Sequence, residues 1–358
     1  MSTETHREHQ RKGPFWEALR ALPKEQRKEF RRQFRATLEK RAEEQALRGR
    51  KRRARHARRE PLMHLGVRIA GWLPLPVAAW FGEWTMALAA ALLPALRHRV
   101  EYHVRLALGA ERDEAELRAI TARALRLIGR GAASYLVLHR MGAERLLARV
   151  EVADEAHLDA ALADGHGAIV VSAHYGLFEA GACHLGSRRN GIAVGRDAGD
   201  TGPTRLLIGM RADLGCPTIE RGDARAVVRA LRDNRPVAIV ADHDVARLNG
   251  LFVPFFGRLA HTPIGPGSLC VRTGAPIVPL LVEWIDRTHY RVRYFPPLRP
   301  RADLGREEAA YELTWRFTRL FEDRIRAEPA PWLWLHKRWE TRPEQRPDLP
   351  VWQPPTAS

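Results

Sequence analysis

The sequence predicts an α/β fold: a mainly parallel central sheet flanked by helices, behind a helical, membrane-associating N-terminal region. Two observations carry the sheet. Apolar, β-branched runs occur at 168–172, 237–241 and 276–283, and helical segments alternate with them at 175–187, 203–214 and 223–233. Strands that alternate with helices build βαβ units, whose sheet is parallel and covered on both faces. A third observation sets the N-terminal region apart: Ile69 to Leu96 is the most apolar stretch of the chain, with Glu83 its one charge.

Taken in order, residues 1–60 read as a basic, partly helical arm. They hold twenty Lys or Arg against nine Glu and no Asp. The whole chain carries +17, so most of its basicity sits here. Over 14–48 the residues Phe30, Phe34, Leu38 and Ala42 recur every four positions among Arg and Lys, a helical period. Such a segment can lie on an anionic membrane surface or extend as a solvated arm. No secretory signal is expected, because basic residues fill the sixty positions before the first apolar stretch.

Residues 61–148 read as a membrane-associating segment followed by helices. A spanning helix needs about 20 apolar residues, and 69–96 is long enough. However, Pro74, Pro76 and Pro94 interrupt it and Glu83 lies near its middle. It can be one kinked spanning helix, a re-entrant hairpin turning near Gly82-Glu83, a monotopic pair on one leaflet, or a pair of core helices. Basic residues on both flanks weaken any inside–outside bias. Residues 100–148 are helical, with Leu117, Ile120, Leu125, Ile128 and Leu136 among polar positions. Residues 149–343 form the α/β domain, closed by a helix over 306–328, and the Pro-rich 344–358 reads as a loose tail.

The three cysteines, Cys183, Cys216 and Cys270, form no C-x-x-C pair. That argues for a reducing compartment, with no disulfide framework and no zinc-cysteine site. The charge admits nucleic acid as a partner, but no helix-turn-helix, zinc finger or RNA-recognition signature accompanies it, and none is expected to bind.

The chemistry concentrates in Gly167-Ala-Ile-Val-Val-Ser-Ala-His174-Tyr-Gly-Leu-Phe-Glu179. A buried strand ends, and His174 sits where open α/β sheets bind ligands. Glu179 lies five residues on, in the first turns of the following helix. This His-x4-Glu pair suits hydroxyl activation: the imidazole takes a proton from an alcohol while the carboxylate fixes its tautomer. If that alcohol attacks the acyl donor directly, no Ser or Cys nucleophile is needed. The helix N-terminus adds N–H groups for an oxyanion or a phosphate. A hydrolase using water in the same cleft is the competing chemistry, although no Gly-x-Ser-x-Gly elbow is present.

Four segments, read in order, extend the pattern over roughly 62–343. They are His174-Tyr-Gly-Leu-Phe-Glu179; Ile219-Glu-Arg-Gly-Asp-Ala-Arg225 leading to Asp242-His-Asp244; Gly250-Leu-Phe-Val-Pro-Phe-Phe-Gly257 with Thr262-Pro-Ile-Gly-Pro-Gly and Arg272-Thr-Gly-Ala-Pro-Ile-Val-Pro279; and Trp332-Leu-Trp-Leu-His-Lys-Arg-Trp-Glu-Thr-Arg-Pro343. Together they resemble the late (lauroyl/myristoyl) acyltransferases of lipid A biosynthesis, within the lysophospholipid acyltransferase superfamily. The resemblance implies a glycerolipid acyltransferase-like fold. It also implies transfer of a fatty acyl chain from an acyl thioester, on acyl carrier protein or coenzyme A, to a hydroxyl of a lipid A precursor or another phosphorylated or glycosylated lipid. No metal and no cofactor are implied, and the expected location is the cytoplasmic face of the bacterial inner membrane.

Position by position, the resemblance makes His174 the base and Glu179 its orienting partner. It assigns Arg196, Arg211, Arg225, Asp242 and Asp244 to substrate binding, the arginines because a guanidinium binds phosphate bidentately. Phe252, Phe255 and Phe256 would line an acyl-chain pocket or pack the sheet. Trp332, Trp334 and Trp339, interleaved with His336, Lys337 and Arg338, suit either a bilayer interface or a packed core. One departure is that Asp242-His243-Asp244 stands where the family commonly has Asp-Gln-Asp.

Overall fold

In the computed structural model, which describes residues 71–195, 202–246 and 248–352, the apolar run Ala168–Ser172 forms a fully buried strand at the centre of the sheet. Its odd and even residues face opposite sides, as the period of a strand requires. Ile169 and Val171 join one hydrophobic cluster, and Ala168 and Val170 join another. A strand buried on both faces must be apolar throughout, which is why this run stood out in the sequence.

The described chain begins with three long helices, α1 (Leu75–Leu92), α2 (Pro94–Leu108) and α3 (Glu114–Met141). Asp113 caps α3 in a reciprocal box with Glu116, which satisfies donors that a helix start leaves unpaired. One of the readings placed a hairpin turn near Gly82-Glu83, but α1 runs unbroken through both residues and no turn lies there. Pro76 sits in the first turn of α1, where a missing N–H costs nothing. The break comes at Leu93-Pro94 instead.

Gly82 stays helical because it is the crossing point with α3: a Cβ on it would meet the Gly129 carbonyl oxygen at 2.3 Å. Glu83 reaches Arg130 of α3 at 2.5 Å and Arg287 at 3.2 Å. The opposite face of α1 and its flanks leaves Trp72, Trp80, Phe81, Trp84, Leu88 and Leu92 exposed, which a pair of core helices would not do.

After α4 (Ala143–Leu147) the chain enters a seven-stranded sheet of β1 (Val150–Ala153), β2 (Ala168–Ser172), β3 (Ile192–Gly195), β4 (Thr218–Glu220), β5 (Pro236–Val240), β8 (Ile277–Trp284) and β9 (Tyr290–Tyr294). Its spatial order is β1-β9-β8-β2-β5-β3-β4. Strands β8, β2, β5, β3 and β4 run parallel, and β9 with β1 runs against them. The short strands at either end of this order, β1 with β9 and β3 with β4, are not among the runs read from the sequence.

Helices α5 (Ala156–Leu162), α6 (Phe178–Arg189), α7 (Gly202–Asp213), α8 (Ala224–Arg232), α9 (Gly265–Thr273) and α10 (Arg306–Ala327) connect the strands or cover them. A separate antiparallel hairpin of β6 (Gly250–Phe255) and β7 (Arg258–Pro263) turns at Phe256-Gly257, both at positive φ, the backbone of a tight hairpin.

The tail expected to be loose is held as far as it is described. Residues 350–352 run beside β6, with the Phe252 N–H donating to the Pro350 oxygen at 2.9 Å and the Trp352 N–H to the Phe252 oxygen at 2.8 Å. The 14–48 helix, the basic arm and Arg196 lie outside the described residues.

Candidate active site

Strands β2 and β5 are parallel neighbours with Ser172 opposite Val240. Two residues beyond each strand end stand His174 and Asp242, so equal register delivers them side by side. The imidazole Nδ1 lies 2.7 Å from Asp242 Oδ1. The His174 backbone N–H donates to Asp242 Oδ2 at 2.8 Å, and the Trp332 indole N–H donates to the same oxygen at 2.9 Å. Asp242 is buried and His174 is partly exposed. Burial alone would raise the Asp242 carboxyl, but the imidazole of His174 outweighs it and holds the group well below the usual carboxylate range. An ionised Asp242 accepts a proton-bearing Nδ1, which leaves Nε2 of His174 as the acceptor.

The carboxylate partner of His174 is therefore Asp242 and not Glu179. Glu179, in the first turn of α6, is buried and turned onto α7, where Arg211 grips it twice. Arg211 Nε donates to Oε2 at 2.8 Å and Nη2 to Oε1 at 2.6 Å. Burial alone would lower the Arg211 pKa, and the two bonds to Glu179 raise it instead. Arg211, expected to bind substrate phosphate, has its fork occupied inside the protein. Gly176 makes the divergence possible: it has positive φ, and a Cβ there would meet the Val282 oxygen at 1.9 Å. The chain thus passes tightly over β8 between His174 and the helix.

The remaining expectations sort by burial. Asp244 holds the C-terminal segment, accepting from the Thr341 N–H at 2.6 Å and hydroxyl at 2.8 Å, with His261 Nδ1 at 3.2 Å. It is a buried anchor and not a substrate ligand. Arg225 points to solvent from the first turn of α8, and the neighbouring basic residue in the cleft is Arg221. Phe252, Phe255 and Phe256 are buried and pack the core: Phe255 meets Trp332 and Trp339 edge-on or tilted, each at 5.7 Å between centroids. They line neither of the two larger cavities. The tryptophan segment is likewise core, with Trp332, Trp334 and Arg338 among the most deeply buried side chains. Burial pushes the Arg338 guanidinium down to about 10, while it donates to the His261 oxygen and to Thr262 Oγ1.

Two residues that sequence reasoning did not place in the site join it. The His243 ring stacks on His174 at 3.9 Å between centroids, and His336 meets both rings edge-on, 4.7 Å from His174 and 3.6 Å from His243. Burial, with the neighbouring imidazoles, pushes His243 down to about 4 and His336 to about 3. Both residues were visible, one in the Asp-His-Asp departure and one in the tryptophan segment. Nothing local connected them.

A cavity of about 360 Å³ opens beside His243, lined mainly by apolar residues, including Val227, Ile239, Val240, Leu248 and Leu269. This volume is in the range of small-molecule sites. A larger cavity of about 480 Å³ lies between α1, α3, β8 and α10. Its wall mixes Arg123, Arg126, Arg130 and Arg324 with Glu83, Glu283, Asp286 and Glu328, and His174 is not part of it.

The profile of the bacterial lipid A biosynthesis acyltransferase family matches residues 47–341. The chain belongs to this family. Among individual relatives, the phosphatidylinositol mannoside acyltransferase of Mycobacterium tuberculosis (strain CDC 1551 / Oshkosh) is 30% identical over 51% of this chain and 58% of its own length. The lipid A biosynthesis lauroyltransferase of Escherichia coli K12 is 29% identical over 57% of this chain and 66% of its own. The chain thus spans just under two thirds, at most, of these relatives. The solved 1-acyl-sn-glycerophosphate (LPA) acyltransferase of Thermotoga maritima aligns with 70% of this chain and 99% of its own at 14% identity and a TM-score of 0.33, too low an overlap to speak for the site.

Proposed function

We propose that this family member transfers a fatty acyl chain from an acyl thioester to a hydroxyl of a lipid A precursor, with His174 as general base and Asp242 as its orienting partner. The observation that carries the reading is the 2.7 Å contact between His174 Nδ1 and Asp242. It leaves Nε2 to take the hydroxyl proton, and the ionised carboxylate stabilises the imidazolium that forms. The alcohol attacks the thioester carbonyl, the C–S bond breaks, and the thiolate takes the proton back from His174. Helix α6 has no side chain capping its start; the Ala180 N–H is taken by the Leu177 oxygen at 2.8 Å, and the N–H groups of Phe178 and Glu179 before it are the ones offered to the carbonyl oxygen as charge develops. The apolar cavity beside His243 takes the acyl chain, in place of the buried phenylalanines.

Acyl carrier protein is the donor favoured by charge, since an acidic carrier is drawn to a +17 chain. Coenzyme A carries the same thioester. The mannoside-acylating relative supports a second acceptor, a glycosylated phospholipid. Mass spectrometry of total lipids from cells with and without the protein decides between acceptors: acylated lipid A species are expected to disappear with it. Loss of another lipid alone would reject that acceptor. A purified-enzyme rate indifferent to any lipid hydroxyl would favour a thioesterase.

Helix α1 seats the enzyme on one leaflet of a bilayer, in this reading the cytoplasmic face of the bacterial inner membrane. Its Trp80, Phe81, Trp84 and Leu88 are exposed, and indole favours the interface. Its other face is bolted to α3 through Gly82 and the Glu83–Arg130 pair, and a spanning pose would drag that pair into hydrocarbon. Flotation with anionic vesicles tests this: Trp80→Ser with Trp84→Ser is expected to weaken binding at least several-fold. Unchanged flotation would remove α1 from the interface.

A further inference from the structure

We propose that His174, His243 and His336 form a binding site for a first-row transition-metal dication of the zinc class, and that the bound ion switches acyl transfer off by occupying Nε2 of His174. The inhibitory half of this inference rests on the reading of His174 as the base. The binding half does not.

The three imidazoles come from three separate parts of the chain. His174 follows β2, His243 follows β5, and His336 lies in the segment after α10. One nitrogen from each falls within 4.8 Å of the others, and all three residues are only partly buried, within reach of solvent. Three imidazoles with an open fourth position form the donor set that zinc, copper and nickel accept, and one that magnesium and calcium do not. Of the three, His243 also lines the apolar cavity, which offers an ion an entry path.

The outer arrangement also suits a cation. Asp242 receives Nδ1 of His174 at 2.7 Å, the carboxylate–histidine pairing that fixes the tautomer of a metal ligand and raises its basicity. His243 and His336 confront each other through Nε2 at 2.5 Å, nitrogen to nitrogen and not turned away toward separate partners. Bonds of about 2.0–2.1 Å at a tetrahedral centre set ligand nitrogens about 3.3 Å apart. The pair must therefore part by about 0.8 Å, a swing of one ring. Asp242 is the anion that faces the cluster, and Arg221 and Arg338 are the cations whose charge reaches His243. Their presence makes the site weaker than a structural zinc site.

Occupancy and chemistry compete for one lone pair. The proton of the acceptor hydroxyl and the ion both need Nε2 of His174, so the loaded protein cannot deprotonate an alcohol there.

The test uses the full chain, stripped with chelator and dialysed against zinc chloride, with metal counted by mass spectrometry and transfer measured against free zinc. One zinc per chain is expected. His243→Gln and His336→Gln, on separate segments and checked by thermal melting, are each expected to weaken it at least tenfold. Zinc is expected to lower wild-type transfer, and the half-inhibiting concentration is expected to rise by the same factor in each variant, whatever its own rate. Magnesium chloride is expected neither to bind nor to inhibit. No stoichiometric zinc on the wild type, or equal binding by both folded variants, overturns the site. Zinc that binds here yet leaves transfer unchanged or speeds it overturns the switch. Zinc that binds in the expected pattern to a protein that transfers no acyl group upholds the site and sinks the reading of His174.

Discussion

Asp242 and Glu179 are both buried carboxylates, and each is held by a basic group, yet they sit in opposite situations. Asp242 takes three donors from two residues, His174 and Trp332, and its histidine opens to the cleft. Glu179 takes two donors from Arg211, and the pair is enclosed between α6 and α7. Glu179 is the nearer of the two to His174 in sequence, by five residues against sixty-eight. The comparison teaches that the carboxylate serving a histidine is chosen by strand adjacency, and that a neighbour in sequence can be spent on holding helices together.

The strongest way to break this comparison is through activity. His174→Ala is expected to lower transfer by about 10³-fold or more, the range of a general base and its positioning, with the melting temperature nearly unchanged. Asp242→Asn is expected to cost on the order of 10²-fold or more. Its single carbonyl oxygen can serve the His174 and Trp332 N–H groups, but its amide then faces Nδ1 with a hydrogen and forces the other tautomer. A full-rate Asp242→Asn enzyme would mean that Glu179, or no carboxylate, orients the base.

Stability gives the next largest contrast. Glu179→Ala leaves the Arg211 guanidinium buried without its partner and is expected to cost about 3–5 kcal/mol, read by denaturant unfolding. Any activity loss should follow the folded fraction. If stability holds while transfer vanishes, Glu179 belongs to the chemistry after all. The double variant Glu179→Leu with Arg211→Met removes both charges. It is expected to recover most of the lost stability, because a buried pair replaced by apolar groups is often close to neutral.

The smallest effect comes from His184, on the same helix as Glu179. Burial, then Arg189 and Arg188, push its imidazole down to about 4 from an ordinary 6.5. Its 3.5 Å approach to Glu155 is therefore not an ion pair at neutral pH. Above pH 6.5 folded and unfolded chains both hold it neutral, and it costs nothing. As pH falls from 6.5 to about 4 the unfolded chain binds a proton that the folded one refuses, so stability declines over that window. His184→Gln is expected to flatten the melting temperature against pH there, and an unchanged slope would assign the decline to other groups.

Much of this was legible. Ala168–Ser172, Val237–Ala241 and Pro276–Glu283 announced β2, β5 and β8 because a strand covered on both faces has no polar side to hide it. The loop after β2 marked His174 because a polar residue directly after such a run sits at the edge of the sheet. The edge strand β1 and its neighbour β9 did not announce themselves: Val150–Ala153 is half exposed, and Tyr290–Tyr294 alternates with arginines. The aromatic residues misled in a different way. Phe252, Phe255, Trp332 and Trp334 carry the same surface whether it meets an acyl chain or other side chains, and only packing shows which.

The sequence by itself determined the class of fold, the histidine at a strand end, the apolar stretch with its lone glutamate, and membership in a family that its ordered segments already resembled. Tertiary structure decided which carboxylate touches that histidine, that Glu83 finds Arg130, and that two further imidazoles stand against the first. The reason is that a strand records its own burial in its side chains but carries no mark of its neighbour. Placing β5 beside β2, in register, is a property of the whole sheet, and the contacts made two residues past the strand ends exist only once that sheet has closed.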